Sequence, residues 1–219
     1  MNTVHTEGIS VWTVFFVAKV VKRVGCCLLL SVLIWCGTLI ADRQCLNQEL
    51  IRLHVVANSD SAEDQNIKLQ VRDAVITSLQ NDLAELSDVE AAKAYLQENL
   101  PKIRDTANRT LEQAGVDCSA VVSLCREAFD TRYYDTFSLP AGVYESLRIV
   151  IGKGQGRNWW CVTFPTLCVP VTKEGFEDTA VGAGFSDTLS HTLTGDDKYE
   201  VRFYLLDQLG RLENIFFGG

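Results

Sequence analysis

Eighteen consecutive residues without a charge, VGCCLLLSVLIWCGTLIA at 24–41, constrain this chain more than any other feature. At about 1.5 Å per residue, a helix of this length nearly spans a hydrocarbon core of roughly 30 Å. Ser31 and Thr38 are too few to make the polar stripe of a buried globular helix. The run therefore reads as a transmembrane or signal-anchor segment behind a cytoplasmic N-terminal segment, residues 1–23. Lys19, Lys22 and Arg23 precede it. Basic flanks stay cytoplasmic, so the residues after 42 are expected on the far side. Leu39-Ile40-Ala41 ends on a small residue without the small-x-small pattern of a good cleavage site, which leaves anchor and cleaved signal peptide both open. The apolar stretch 9–18, too short to span alone, either lies in the interface or extends the helix backwards.

The remaining ~175 residues are enough for one domain with its own core. Residues 45–219 carry 16 Lys/Arg against 26 Asp/Glu. Such an acidic domain repels phosphate backbones, so nucleic acid is excluded as a partner. Cys26, Cys27 and Cys36 sit in the apolar run, Cys45 just beyond it, and Cys118, Cys125, Cys161 and Cys168 in the domain. None forms a CxxC pair and no His stands at zinc-ligand spacing, so neither a metal nor another cofactor is expected.

The domain pattern is α+β, with a few strands and three to four helices. Ile51, Leu53 and Val55 alternate as a strand. Ser59, Asp60 and Ser61 are N-caps for a helix over 62–80, on which Asp64 and Lys68 are spaced as an i,i+4 pair. Ser87-x-x-Glu90 is a capping box. It opens either two helices, 88–98 and 100–115, or one kinked at Pro101. Residues 119–129, 147–151 and 159–164 read as strands, with Gly152, Gly154 and Gly156 as a flexible loop between the last two. Residues 172–198, rich in Gly, Thr, Asp and Glu, read as a flexible acidic segment, and 199–217 as a C-terminal helix.

Three constellations invite a chemical reading. His54 with Ser59 and Asp60 contains the residue types of a catalytic triad, but Asn58–Asp60 already have a structural task in turn and cap. Gly152-x-Gly154-x-Gly156 lacks the helix that a nucleotide fingerprint needs after its last glycine. Trp159-Trp160-Cys161 through Cys168 is the richest. Adjacent Trp on a strand point to opposite faces. Cys161 and Cys168 flank Pro165, and three states stay open for them: a disulfide, free thiols, or Cys161 as a nucleophile.

IRLHVVANSDSAEDQNIKLQVRDAV (51–75) and LPAGVYESLRIVIGKGQGRNWWCVTFPTLC (139–168), behind an N-terminal membrane segment, resemble the stage II sporulation protein R family across most of 45–171. The resemblance implies a signalling protein of endospore formers, exported from the forespore into the intermembrane space. There it would activate a membrane-embedded aspartic protease, stage II sporulation protein GA, so that the sigma-E precursor is processed in the mother cell. It implies no catalytic residues and no small-molecule substrate. The matched positions expected to contact the partner are His54, Asn58, Ser59, Asp60, Asp64, Lys68, Arg72 and Asp73, with Asn158, Trp159 and Trp160. The rival expectation is a secreted hydrolase using Cys161 or Ser59, which would need His54 or His191 beside the nucleophile.

Overall fold

The computed structural model describes residues 11–86, 88–165, 173–195 and 199–217. It forms two compact units, 1–41 and 42–219. The first helix, α1 (Val11–Glu49), runs through both. Residues 9–18 thus contribute to a backward extension of the helix, at least from Val11. Its stretch Phe15–Glu49 is long and apolar enough to cross a membrane. The Ser31 hydroxyl donates to the Cys27 carbonyl and that of Thr38 to the Trp35 carbonyl, at 2.9 and 2.8 Å. Both hydroxyls are therefore satisfied without water, as a hydrocarbon environment demands.

Residues 42–219 are α+β. A four-stranded sheet is ordered β2 (Ala120–Phe129), β5 (Gly142–Ile151), β1 (Ile51–Val56), β6 (Asn158–Phe164). Strand β1 pairs parallel with β5 and antiparallel with β6, and β2 pairs antiparallel with β5. All six residues of β1 are buried, because neighbours and layers cover it on every side. Strands β3 (Arg132–Tyr133) and β4 (Ser138–Leu139) make a short separate ribbon.

Helices α2 (Ala62–Ala84) and α3 (Val89–Gln113) cover one face of the sheet. Ser61 caps α2, its hydroxyl accepting from the Asp64 N–H at 3.0 Å. Val71, Val75 and Leu79 then fall one turn apart and meet Leu53, Val55, Leu147 and Ile149 from the sheet. Burying each such aliphatic side chain contributes about 1.5–3 kcal/mol. Asp88 caps α3 by accepting from the Ala91 N–H at 2.8 Å; Ser87, the expected capping-box residue, lies outside the described residues. Of the two readings around Pro101, the single helix holds, with Pro101 inside it. Tertiary packing of Leu96, Ile103 and Ala107 on either side of the proline outweighs the missing backbone hydrogen bond.

On the other face α6 (Glu200–Phe217) packs against β5 and β2, and the loop after β3 reaches Arg52 and Trp160 through Tyr134; α4 (Lys173–Gly182) and α5 (Asp187–Leu193) pack on each other, and α5 on α6. This corrects the reading of 172–198 as a flexible segment. Phe176, Ala180, Phe185, Leu189 and Leu193 are buried, and Phe176 stacks on Phe137 at 4.4 Å. Within each helix the buried apolar residues are few but four apart, Phe176 and Ala180 on α4 and Leu189 and Leu193 on α5, so each has one narrow buried face that average composition conceals. Residues 172 and 196–198 lie outside the described set. The helix count is accordingly higher than the three to four expected. Helix α6 packs on β5 so closely that a Cβ at Gly210 would stand 1.6 Å from the Ala141 carbonyl oxygen.

Candidate functional site

The end of β1 leads straight into α2, and the β5–β6 loop folds back onto this junction. Asn58 holds both. Its side-chain amide donates to the Asp64 carboxylate at 3.0 Å, and its Oδ1 accepts from the Lys153 N–H at 3.0 Å. The Ser59 hydroxyl donates to the same Asp64 oxygen at 2.5 Å, and Asp60 accepts from the Arg157 N–H at 2.7 Å. Hydrogen bonds from Ser59, Asn58 and Ser61, partly offset by burial, hold the Asp64 carboxyl below its ordinary range. Asp64 thus serves the cap, and the expected pair with Lys68 does not form. The helix N-terminus and three short donors attract the carboxylate more strongly than an ammonium one turn away.

The glycines of the loop serve packing. Gly152 adopts φ +55°, and a Cβ there would fall 2.3 Å from Asn58 Oδ1. At Gly156 it would fall 2.1 Å from the Ser59 carbonyl oxygen. The Gly156 N–H donates to the Ala57 carbonyl at 2.9 Å. The loop read as flexible is therefore seated on the β1–α2 junction, and β6, not a helix, follows it.

Beside this junction is a shallow groove of about 470 Å³, lined by Gln65, Lys68, Leu69, Arg157, Asn158 and Trp159. Lys68 is buried; its ammonium donates to Gln65 Oε1 at 2.7 Å and to the Arg157 carbonyl at 3.0 Å. Burial, with Arg157 nearby, pushes its pKa down. Trp159 is 38% exposed and lies under the Arg72 guanidinium at 4.3 Å. Arg72 in turn pairs with Asp73. Asn58, Ser59, Asp60, Asp64, Lys68, Arg72, Asp73, Asn158 and Trp159 thus share one end of one sheet face.

His54 and Trp160 are on the other face. Their rings stack at 3.8 Å, and Phe129 meets Trp160 edge-on at 4.8 Å. His54 Nδ1 is 3.1 Å from Glu127. Burial alone would raise the Glu127 carboxyl, but the His54 hydrogen bond and the nearby Arg148 hold it below the usual range. Arg52, fully buried, donates to the Tyr134 hydroxyl at 3.0 Å and lies over the Phe129 ring at 4.1 Å. Sequence reasoning missed Arg52, Glu127, Phe129 and Tyr134. The one signal was a charged residue at the second position of an otherwise apolar strand.

The candidate elements of a hydrolase are each engaged elsewhere. Cys161 is disulfide-bonded, and Cys168, its expected partner, lies outside the described residues. Cys118 and Cys125 are free. The Ser59 hydroxyl is engaged by Asp64, His54 by Glu127, and His191 lies 3.4 Å from Glu177. Among the described residues, no group of three His, Cys, Asp or Glu is placed to hold a metal.

The family model described as Stage II sporulation protein R matches residues 47–174. Stage II sporulation protein R of Bacillus subtilis (strain 168) is 39% identical over 120 residues, 55% of this chain and 54% of the relative. The chain therefore matches about half the length of that relative. No solved structure matches. The matched span contains the whole β1–α2 junction, the β5–β6 loop and both tryptophans, and it covers more than half of the chain; the chain belongs to the stage II sporulation protein R family.

Proposed function

We propose that this chain is an exported sporulation signal that activates a membrane-embedded aspartic protease, stage II sporulation protein GA. Processing of the sigma-E precursor in the mother cell would follow. The observation that carries the reading is family membership over 47–174, which supports a role in sporulation. An N-terminal helix fit to be an anchor or a signal supports delivery to the intermembrane space. The groove supplies the partner face. Its half-exposed Trp159, pinned by Arg72, is an aromatic anchor with little freedom left to lose on binding. Gln65, Lys68, Leu69, Arg157 and Asn158 line the groove with Trp159, the capped β1–α2 junction lies beside it, and His54 and Trp160 stack on the opposite face of the sheet.

The hydrolase reading has less support, because Cys161, Ser59 and the two histidines each have other partners.

The test is reconstitution in a growing, non-sporulating host that expresses this chain, the protease and the sigma-E precursor, with precursor size followed on a blot. Processing is expected only when this chain is exported. Trp159→Ala should cut it at least tenfold while leaving the protein folded and at normal abundance. Full processing without this chain, or none with all three proteins in place, overturns the proposal.

A further inference from the structure

Helix α6 lies outside the family-matched span and carries an apolar stripe that nothing covers among the described residues. Val201, Tyr204, Leu212, Ile215 and Phe216 fall within about 120° of one another at 100° per residue. All five are exposed, Ile215 by 68% and Phe216 by 84%. The opposite face is the one that packs: Leu206, Asp207 and Gly210 are buried, Asp207 accepting from the Ala141 N–H of the β4–β5 turn. A soluble helix has little reason to expose five large apolar residues on one face, even with Gln208 among them.

Both ends of α6 are tied to the residues that follow the apolar run. Arg202 pairs with Asp42 through two nitrogens, Nε at 2.9 Å and NH2 at 2.5 Å. Glu213 accepts from Arg43 at 2.5 Å and from Asn47 at 3.0 Å. Arg202 and Glu213 are eleven residues apart, about 16 Å of helix, yet they meet adjacent residues, 42 and 43. Helix α6 therefore lies across residues 42–47 instead of along them. Asp42 is one peptide bond from Ala41, the last residue of the apolar run. If 24–41 is in the bilayer, chain continuity puts Asp42 at its surface, and the ties of Arg202 to Asp42 and of Glu213 to Arg43 keep two points of α6 next to that position.

We propose that the Val201–Phe216 stripe is a lipid-binding face, inserted at the headgroup–acyl boundary of the membrane that holds the anchor. Amphipathic helices at such a boundary bury their apolar face by about 5–10 Å. The attraction is apolar, since the domain is acidic and gains nothing from anionic headgroups. Arg211, between Tyr204 and Ile215 on the helix surface, is half-exposed and long enough to keep its charge in the headgroup layer.

The inference rests on residues 24–41 being a membrane segment, and the test separates the two. The full chain is reconstituted in phosphatidylcholine vesicles with the photocrosslinker p-benzoylphenylalanine placed at Phe216, at Leu30 in the anchor, or at Arg104 on α3. Lipid adducts are read by mass spectrometry. The expected result is adducts at positions 30 and 216, with position 216 at least ten times the yield of position 104. Adducts at 30 without adducts at 216, or a 216 product joined to a second copy of the chain, overturn the lipid face and leave the anchor standing. No adduct at 30 overturns the anchor reading and the proposal with it.

Discussion

Removing the Asp207 carboxylate should loosen α6 from the sheet. Asp207 Oδ1 accepts from the Ala141 N–H at 2.8 Å and from the Thr131 hydroxyl at 2.5 Å, and Oδ2 accepts from Arg211 Nε at 2.8 Å. Ala141 is fully buried, so Asp207→Ala leaves its N–H without a partner and without water. An orphaned buried donor costs about 1–3 kcal/mol and a lost hydrogen bond to a charge about 1.5–3 kcal/mol. The Arg211 guanidinium is half-exposed, so solvent screens its pair and it adds little. Together these amount to about 2.5–6 kcal/mol, or a fall in Tm of roughly 5–20 °C for a domain of this size. Asp207→Asn keeps an oxygen for Ala141 and Thr131 and should cost only about 1 kcal/mol. Thermal unfolding of the full chain in detergent, followed by circular dichroism, measures both. Equal losses for the two variants, or under about 1 kcal/mol for Asp207→Ala, would refute the assignment of the Ala141 N–H as the group at stake. The sign with pH follows from the same contacts. Burial raises the Asp207 carboxyl, but the Ala141, Thr131 and Arg211 hydrogen bonds outweigh it and its folded pKa is lowered. Its contribution is therefore complete above the unfolded value of about 3.9 and is lost as pH falls through the lower folded value. The acid limb of stability should be shallower in Asp207→Ala.

Four further perturbations test other parts of the fold. Pro101→Ala restores a backbone donor inside α3 and should raise stability by about 1–3 kcal/mol in urea titration; no gain would mean the helix bends there for a packing reason. Gly156→Ala drives a Cβ into the Ser59 carbonyl oxygen and should destabilise by at least about 2 kcal/mol, with faster amide exchange at Gln155 and residue 156. At Gly115, φ +73° but with open space around it, alanine should cost only about 1 kcal/mol, and a larger loss there would contradict the structure. Glu127→Ala leaves His54 Nδ1 without its carboxylate and should cost about 1–3 kcal/mol at pH 7. Because the Glu127 pKa is lowered on folding, that cost should shrink as pH falls below about 4.3; a pH-independent loss would show that the carboxylate charge is not what matters.

Local signals in the sequence were strong where one face of an element does one job. The period-two run at 51–56, the caps before α2 and the apolar alternation at 147–151 each specify their element with short-range chemistry. The opposite placement of Trp159 and Trp160 followed from the pleat alone. What stayed hidden depends on distant residues. Arg52 looks like a surface charge until Tyr134 and Phe129, about eighty residues later, are folded over it. Helices α4 and α5 are amphipathic on only a few residues, so their polar majority masked them. The groove beside Trp159 joins α2 to β6, and the antiparallel pairing of β1 with β6, about a hundred residues apart in the chain, brings those segments together.

The position of β1 in the sheet sets a timetable for the chain. It is the first strand to be made, yet it sits in the centre, and its two neighbours, β5 and β6, lie about ninety residues and more downstream. Synthesis proceeds at about 5–20 residues per second. For some 5–20 s, therefore, IRLHVV has no strand to pair with, while the apolar helix ahead of it is already complete. A nascent chain in that interval cannot close its core and stays threadable. The order of strands, as much as the hydrophobic segment itself, fits the export proposed for this chain, in which a chain passes a narrow channel before it folds.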